Sequence, residues 1–160
     1  MQENKKIKEK HFWFGKNWKN FLVSFSSEQV ESSKKSLVSI FGENLKGKTF
    51  IDVGCGSGLH SLAAMLLGAK VFSFDYDKDS VECCNYLKSK YFKDDKNWII
   101  TQGSALNEEF LMSLGKFDIV YSYGVLHHTG NMYRALNNVT KLVNDKGYLY
   151  LTLYNDQGRN

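Results

Sequence analysis

The run Thr49-Phe-Ile-Asp-Val-Gly-Cys-Gly-Ser-Gly-Leu59 constrains this chain more than any other segment. An apolar stretch with β-branched and aromatic residues stops at glycines 54, 56 and 58, and a stretch suited to a helix begins at once. Glycines reach positive φ without steric cost, and they let a ligand approach bare backbone N–H groups at a helix N-terminus. A strand that turns into a helix this way opens a parallel sheet covered by helices.

The alternation continues downstream. Strands are predicted at Thr49–Val53, Lys70–Asp75, Trp98–Thr101, Phe117–Tyr121 and Tyr148–Leu153, the last after a Lys146-Gly147 turn. Helices are predicted at Leu59–Leu67 with Gly68 as its stop, Lys78–Tyr91, Asn107–Leu114 and Asn131–Val143. The order βαβαβαβαβ specifies an α/β fold, a doubly wound Rossmann-like sheet with right-handed crossovers. Before residue 48 come an aromatic segment (Phe12, Trp13, Phe14, Trp18, Phe21) and a predicted helix from Ser27 to Phe41. The chain thus reads as an N-terminal extension or lid over residues 1–47 and a ligand-binding core over 48–160.

Composition excludes several classes. No apolar run approaches the ~20 residues of a membrane span, and the charged start lacks the apolar stretch of a signal peptide, so a cytoplasmic address is expected. Cys83 and Cys84 are adjacent, a poor arrangement for a structural disulfide, and no Cys/His set has zinc-ligand spacing, so no metal is expected. The net charge of +4 owes much to Lys5, Lys6, Lys8 and Lys10, read as a solvated terminus rather than a nucleic-acid patch.

The loop narrows the ligand. Its spacing is GxGxG, not the GxGxxG of dinucleotide folds, and it lacks the Lys-[Ser/Thr] of a phosphate-binding P-loop. Asp75 ends the second strand 75 − 52 = 23 positions after Asp52, near the ~20-residue offset of a carboxylate that accepts from ribose hydroxyls. Helix capping is the competing role, assigned to Asp77 or Asp79.

Phe50-Ile-Asp-Val-Gly-Cys-Gly-Ser-Gly58, Phe72-Ser-Phe-Asp-Tyr-Asp77 and Phe117-Asp-Ile-Val-Tyr-Ser-Tyr-Gly-Val-Leu-His-His128 resemble successive motifs of class I S-adenosylmethionine-dependent methyltransferases, nearest to the ubiquinone-biosynthesis O-methyltransferase branch. The resemblance covers about residues 48 to 154. It implies S-adenosylmethionine as cofactor and S-adenosylhomocysteine as product. It places Gly54, Cys55, Gly56 and Gly58 beneath the methionine part, Asp52 near its ammonium and Asp75 on the ribose. Tyr76 would lie against the adenine, followed by the turn Gly103-Ser104-Ala105, where Ser104 stands in for a common Asp. Ser122 and Tyr123 would add backbone contacts.

The implied reaction is methyl transfer to a small-molecule acceptor, with O-methylation favoured. His127 and His128 follow the fourth strand and are the candidate bases, His128 ahead of His127. His11 and His60 read as structural or exposed. The alternatives are a non-catalytic cofactor-binding module and an RNA methyltransferase. Against the latter, base-amino enzymes carry a Pro-Pro-aromatic motif after the fourth strand, whereas this chain has Ser122-Tyr-Gly and no proline. The class continues with sixth and seventh strands, so these are expected to be missing past Asn160. An unpaired fifth strand then leaves homodimerisation open. Asn155 and Asp156 read as a turn that faces substrate or solvent.

Overall fold

The computed structural model describes residues 25–154 and Asn20. The aromatic segment before residue 25 and the tail from Asn155 lie outside the described residues. The core elements are β1 Thr49–Val53, β2 Lys70–Asp75, β3 Trp98–Gln102, β4 Phe117–Tyr123 and β5 Val143–Thr152. The helices are α1 Ser27–Phe41, α2 Leu59–Leu66, α3 Lys78–Tyr91, α4 Glu108–Ser113 and α5 Met132–Thr140, with a 3₁₀ turn at Leu126–His128.

The strands form one parallel sheet in the order β3-β2-β1-β4-β5. β1 sits at its centre because both faces of Thr49–Val53 find apolar cover. Phe50 packs with Leu37, Leu62, Leu87, Trp98 and Tyr121 on the side of α1, α2 and α3. Ile51 and Val53 pack with Phe74, Val120, Leu126 and Val139 on the side of α4 and α5. That division is the period-2 alternation of a strand. The order reverses at β1, whose neighbours are β2 and β4. A crevice therefore opens at the carboxyl ends of these strands, the switch point where open α/β sheets bind ligands.

Local chemistry sets the helix starts. The Gln29 side chain accepts from Ser26 N–H at the head of α1. Asp77 accepts from the backbone N–H and the hydroxyl of Ser80 at the head of α3, at 3.1 and 2.9 Å. Asn107 and Asn131 do the same for α4 and α5. Lys88 lays its stem inward and donates to the Trp98 carbonyl at 2.5 Å. Among the described residues no helix is long and apolar enough to cross a membrane.

The last helix–strand boundary departs from the sequence reading. Helix α5 ends at Thr140 rather than Val143, and β5 begins at Val143 rather than Tyr148. Lys146-Gly147 lies inside the strand, at an irregularity between Phe117 and Ile119 of β4, and not in a separate turn. The Asp118 carboxylate causes this. It accepts from Asn144 Nδ2 at 2.8 Å and from Thr49 N–H at 2.9 Å, while Phe117 N–H donates to the Leu142 carbonyl. Gly147 passes so near that a Cβ there would stand 2.9 Å from the Asp118 carbonyl oxygen. Gly147→Val should therefore lose about 1–3 kcal/mol, read as a lower urea midpoint with an unchanged slope. An unaltered midpoint would show that the strand has room to shift.

Candidate active site

The crevice is a cavity of about 880 Å³ at the carboxyl ends of β1, β2 and β4. Its floor is the loop after β1. Gly54 and Cys55 donate their N–H groups to the Phe74 carbonyl at 2.9 and 3.0 Å, which ties the loop to β2. Gly54, Gly56 and Gly58 all have positive φ. A Cβ at Gly54 would stand 2.4 Å from a Val125 methyl, and one at Gly58 would stand 2.5 Å from Cys84 Sγ. Side chains at these positions would fill the cradle or push the loop off α3.

Asp75 joins two loops. Its Oδ2 accepts from Gly56 N–H and its Oδ1 from Asp77 N–H, both at 2.9 Å. The cap of α3 is Asp77, so the competing role proposed for these aspartates falls there and not on Asp75. Burial raises the Asp75 pKa against the pull of those N–H donors. A carboxylate oxygen can accept more than one hydrogen bond, so the Gly56, Asp77 and Tyr76 N–H groups leave acceptor capacity on Asp75.

Asp52 lies deeper. Its Oδ2 accepts from Ser61 Oγ at 2.5 Å, Ser61 accepts from Ser73 Oγ at 2.7 Å, and Ser73 accepts from Trp98 Nε1 at 2.9 Å. Burial, with the nearby Asp75 charge, pushes the Asp52 carboxyl up to about 7. A cation in the cavity would reverse that shift.

Ten residues predicted for the cofactor line the cavity: Asp52, Gly54, Cys55, Gly56, Asp75, Tyr76, Gly103, Ser104, Ala105 and Tyr123. Gly58 and Ser122 do not. Gly58 caps α2 in the left-handed conformation, and Ser122 Oγ donates to the Val53 carbonyl at 3.0 Å, holding β4 to β1. Ser104 turns its hydroxyl onto Leu106 N–H at 3.1 Å.

The two histidines separate. His128 lines the cavity, whereas His127 is tucked between His128 and Tyr154, at ring-centroid distances of 3.9 and 4.7 Å. Neither ring nitrogen of His127 has a hydrogen-bond partner, and burial followed by the neighbouring His128 holds its pKa below the ordinary imidazole range.

Sequence reasoning missed several lining residues. Gln102 donates to the Tyr76 carbonyl at 2.8 Å and fixes that turn. Leu106, Tyr154 and His60 also line the cavity. His60, read above as structural or exposed, faces the ligand space from the first turn of α2. Only the β1–β4 adjacency brings it there, and no local motif reports that adjacency. The three cysteines are buried thiols. Among the described residues no cluster of His, Cys, Asp and Glu could hold a metal.

A glycine loop, a buried carboxylate on β1, a second carboxylate at the end of β2 and an aromatic wall meet at one cavity of a doubly wound sheet. Comparison with known proteins agrees. The methyltransferase-domain family model matches residues 44–159, and the chain belongs to this family, the class I S-adenosylmethionine-dependent methyltransferases. It is 24% identical to the ubiquinone biosynthesis O-methyltransferase of Pelagibacter ubique, over 89% of this chain and 60% of that protein. It is 30% identical to the ribosomal protein L11 methyltransferase of Campylobacter concisus, over 81% of this chain and 43% of that one. The magnesium protoporphyrin IX methyltransferase of Synechocystis with bound S-adenosylhomocysteine shares the fold. Its TM-score is 0.59 at 23% identity, covering 73% of this chain and 51% of that one. The chain spans roughly half the length of the curated relatives it matches.

Asp52 yields a testable consequence. Its folded pKa lies above the unfolded value, so the folded chain holds the extra proton between about pH 4 and 7 and loses stability as pH rises through that window. Asp52→Asn removes that loss. Without ligand, its melting temperature should exceed wild type at pH 8, and the gap should close towards pH 4. A gap independent of pH would contradict the assigned burial of charge.

Proposed function

We propose that this chain transfers the methyl group of S-adenosylmethionine to an oxygen of a small-molecule acceptor. The observation that carries the reading is a single cavity with two chemically distinct halves. One half holds the glycine cradle, Asp52, Asp75 and Tyr76. The other is walled by His60, Tyr123, His128 and Tyr154.

In this reading Asp52 receives the ammonium of the methionine part, since a cation restores the ionised form that burial disfavours. Asp75 accepts from the ribose hydroxyls with the lone pairs left by Gly56, Tyr76 and Asp77. Tyr76, half exposed in the cavity, offers its face to the adenine, with Ser104 and Ala105 at the ring edge. Bound, the cofactor supplies a methyl group already activated on a cationic sulfur. The protein's share is then positioning and exclusion of water, which can supply roughly 7–11 kcal/mol of a barrier. His128 takes the proton from the acceptor hydroxyl as the oxygen becomes a nucleophile.

A small acceptor fits better than a nucleic acid. Lys78 is the only lysine or arginine among the described lining residues, whereas phosphate backbones are held by several.

Calorimetric titration with S-adenosylhomocysteine tests the cofactor assignment. Wild type should bind with micromolar affinity. Asp75→Ala should weaken binding roughly 10- to 100-fold, matching about 1.5–3 kcal/mol for a charge-assisted hydrogen bond. Full affinity in the variant would remove Asp75 from ribose recognition. Given a turned-over phenolic acceptor, His128→Ala should keep that affinity while methyl transfer slows by roughly 10²-fold or more. An unchanged rate would take His128 out of the mechanism. Cofactor binding without transfer to any member of a phenol, amine and thiol panel would favour a binding module instead.

A further inference from the structure

His60 belongs to none of the roles assigned so far. It stands in the first turn of α2, and its imidazole is wedged against the rings of Tyr121 and Tyr123 at centroid distances of 5.2 and 5.1 Å. Tyr121 is fully buried and stacks on Tyr150 at 5.3 Å with planes 9° apart, so the imidazole rests on a fixed platform. The ring borders the cavity, and neither nitrogen hydrogen-bonds a described residue. Burial lowers its pKa to about 4, so the imidazole is neutral at physiological pH and keeps one lone pair as an acceptor.

The surroundings limit what it can meet. Tyr123 and Tyr154 are 47% and 65% exposed while lining the same half of the cavity. Exposed aromatic faces inside a ligand cavity gain most from a flat apolar partner. The group His60, Tyr123, His128 and Tyr154 includes no carboxylate, lysine or arginine, so it offers a charged acceptor no counter-charge. An imidazole nitrogen beside an aromatic wall suits a ring that bears a hydroxyl.

We propose that His60 binds the methyl acceptor, one imidazole nitrogen accepting a hydrogen bond from a hydroxyl on a flat, uncharged ring that lies against Tyr123. His60 and His128 then flank the acceptor with different tasks, His60 orienting a hydroxyl and His128 removing the proton that leaves. The inference rests on the methyl-transfer reading above.

The test uses the full chain saturated with S-adenosylhomocysteine and two probes. Catechol is a neutral ring with two O–H donors, and 1,2-dimethoxybenzene is the same ring with none. Wild type should bind catechol at least about tenfold tighter, since the unmatched ring leaves a polar group unpaired. His60→Phe keeps a ring against Tyr121 and Tyr123 but has no acceptor. It should erase the preference while affinity for S-adenosylhomocysteine stays within about twofold. His60→Gln, whose amide oxygen still accepts, should keep part of it. Equal binding of both probes by wild type, or no catechol binding, would overturn the proposal. So would a preference surviving in His60→Phe. A large loss of S-adenosylhomocysteine affinity in that variant would assign His60 to the cofactor instead. Failure of wild type to bind S-adenosylhomocysteine would overturn the methyl-transfer reading itself, and this inference with it.

Discussion

The carboxylate of Asp75 holds the site together. It accepts from Gly56 N–H on one side and Asp77 N–H on the other. The loop after β1 and the turn after β2 are thereby tied together, while the N–H groups of Gly54 and Cys55 bond the Phe74 carbonyl and that of Gly58 the Cys55 carbonyl. In the proposed reading the same carboxylate accepts from the ribose hydroxyls. One side chain would then both shape the loop and recognise the ligand. A substitution there acts on both, and main-chain geometry as well as ligand affinity should be followed in any variant.

A second buried chain of hydrogen bonds runs beneath the sheet from Trp98 through Ser73 and Ser61 to Asp52. It satisfies donors that would otherwise be orphaned in the core. It also delivers a directed hydroxyl to a carboxylate that burial has made reluctant to ionise. An ionised Asp52 is a cost to stability that a cation beside it would relieve.

Much of this was legible in the sequence because it is local. The glycine spacing, the strand-end position of Asp75 and the N-cap chemistry of Asp77 depend on residues a few positions apart. They predict strands and helices close to those observed. The boundary at Val143 was not legible. It is set by Asp118, which gathers Thr49 and Asn144 from opposite ends of the chain. His60 and Tyr154 were missed for the same reason: their place at the cavity follows from the order β1-β4-β5, a non-local fact. Gly58 and Ser122 match the family pattern in sequence, yet structurally they support the wall and do not form it. The split between His127 and His128 could not be read from a doublet.

Backbone amide spectra of the isotopically labelled chain, recorded while S-adenosylhomocysteine is added, test most directly whether the cradle and Asp75 form the cofactor seat. The account predicts the largest shifts at Gly54, Gly56, Asp75, Tyr76 and Gly103–Ala105, with Lys116, Asn144 and Asp145 at the opposite end of the sheet unmoved. Shifts confined to other surfaces, or none at saturating ligand, would contradict it.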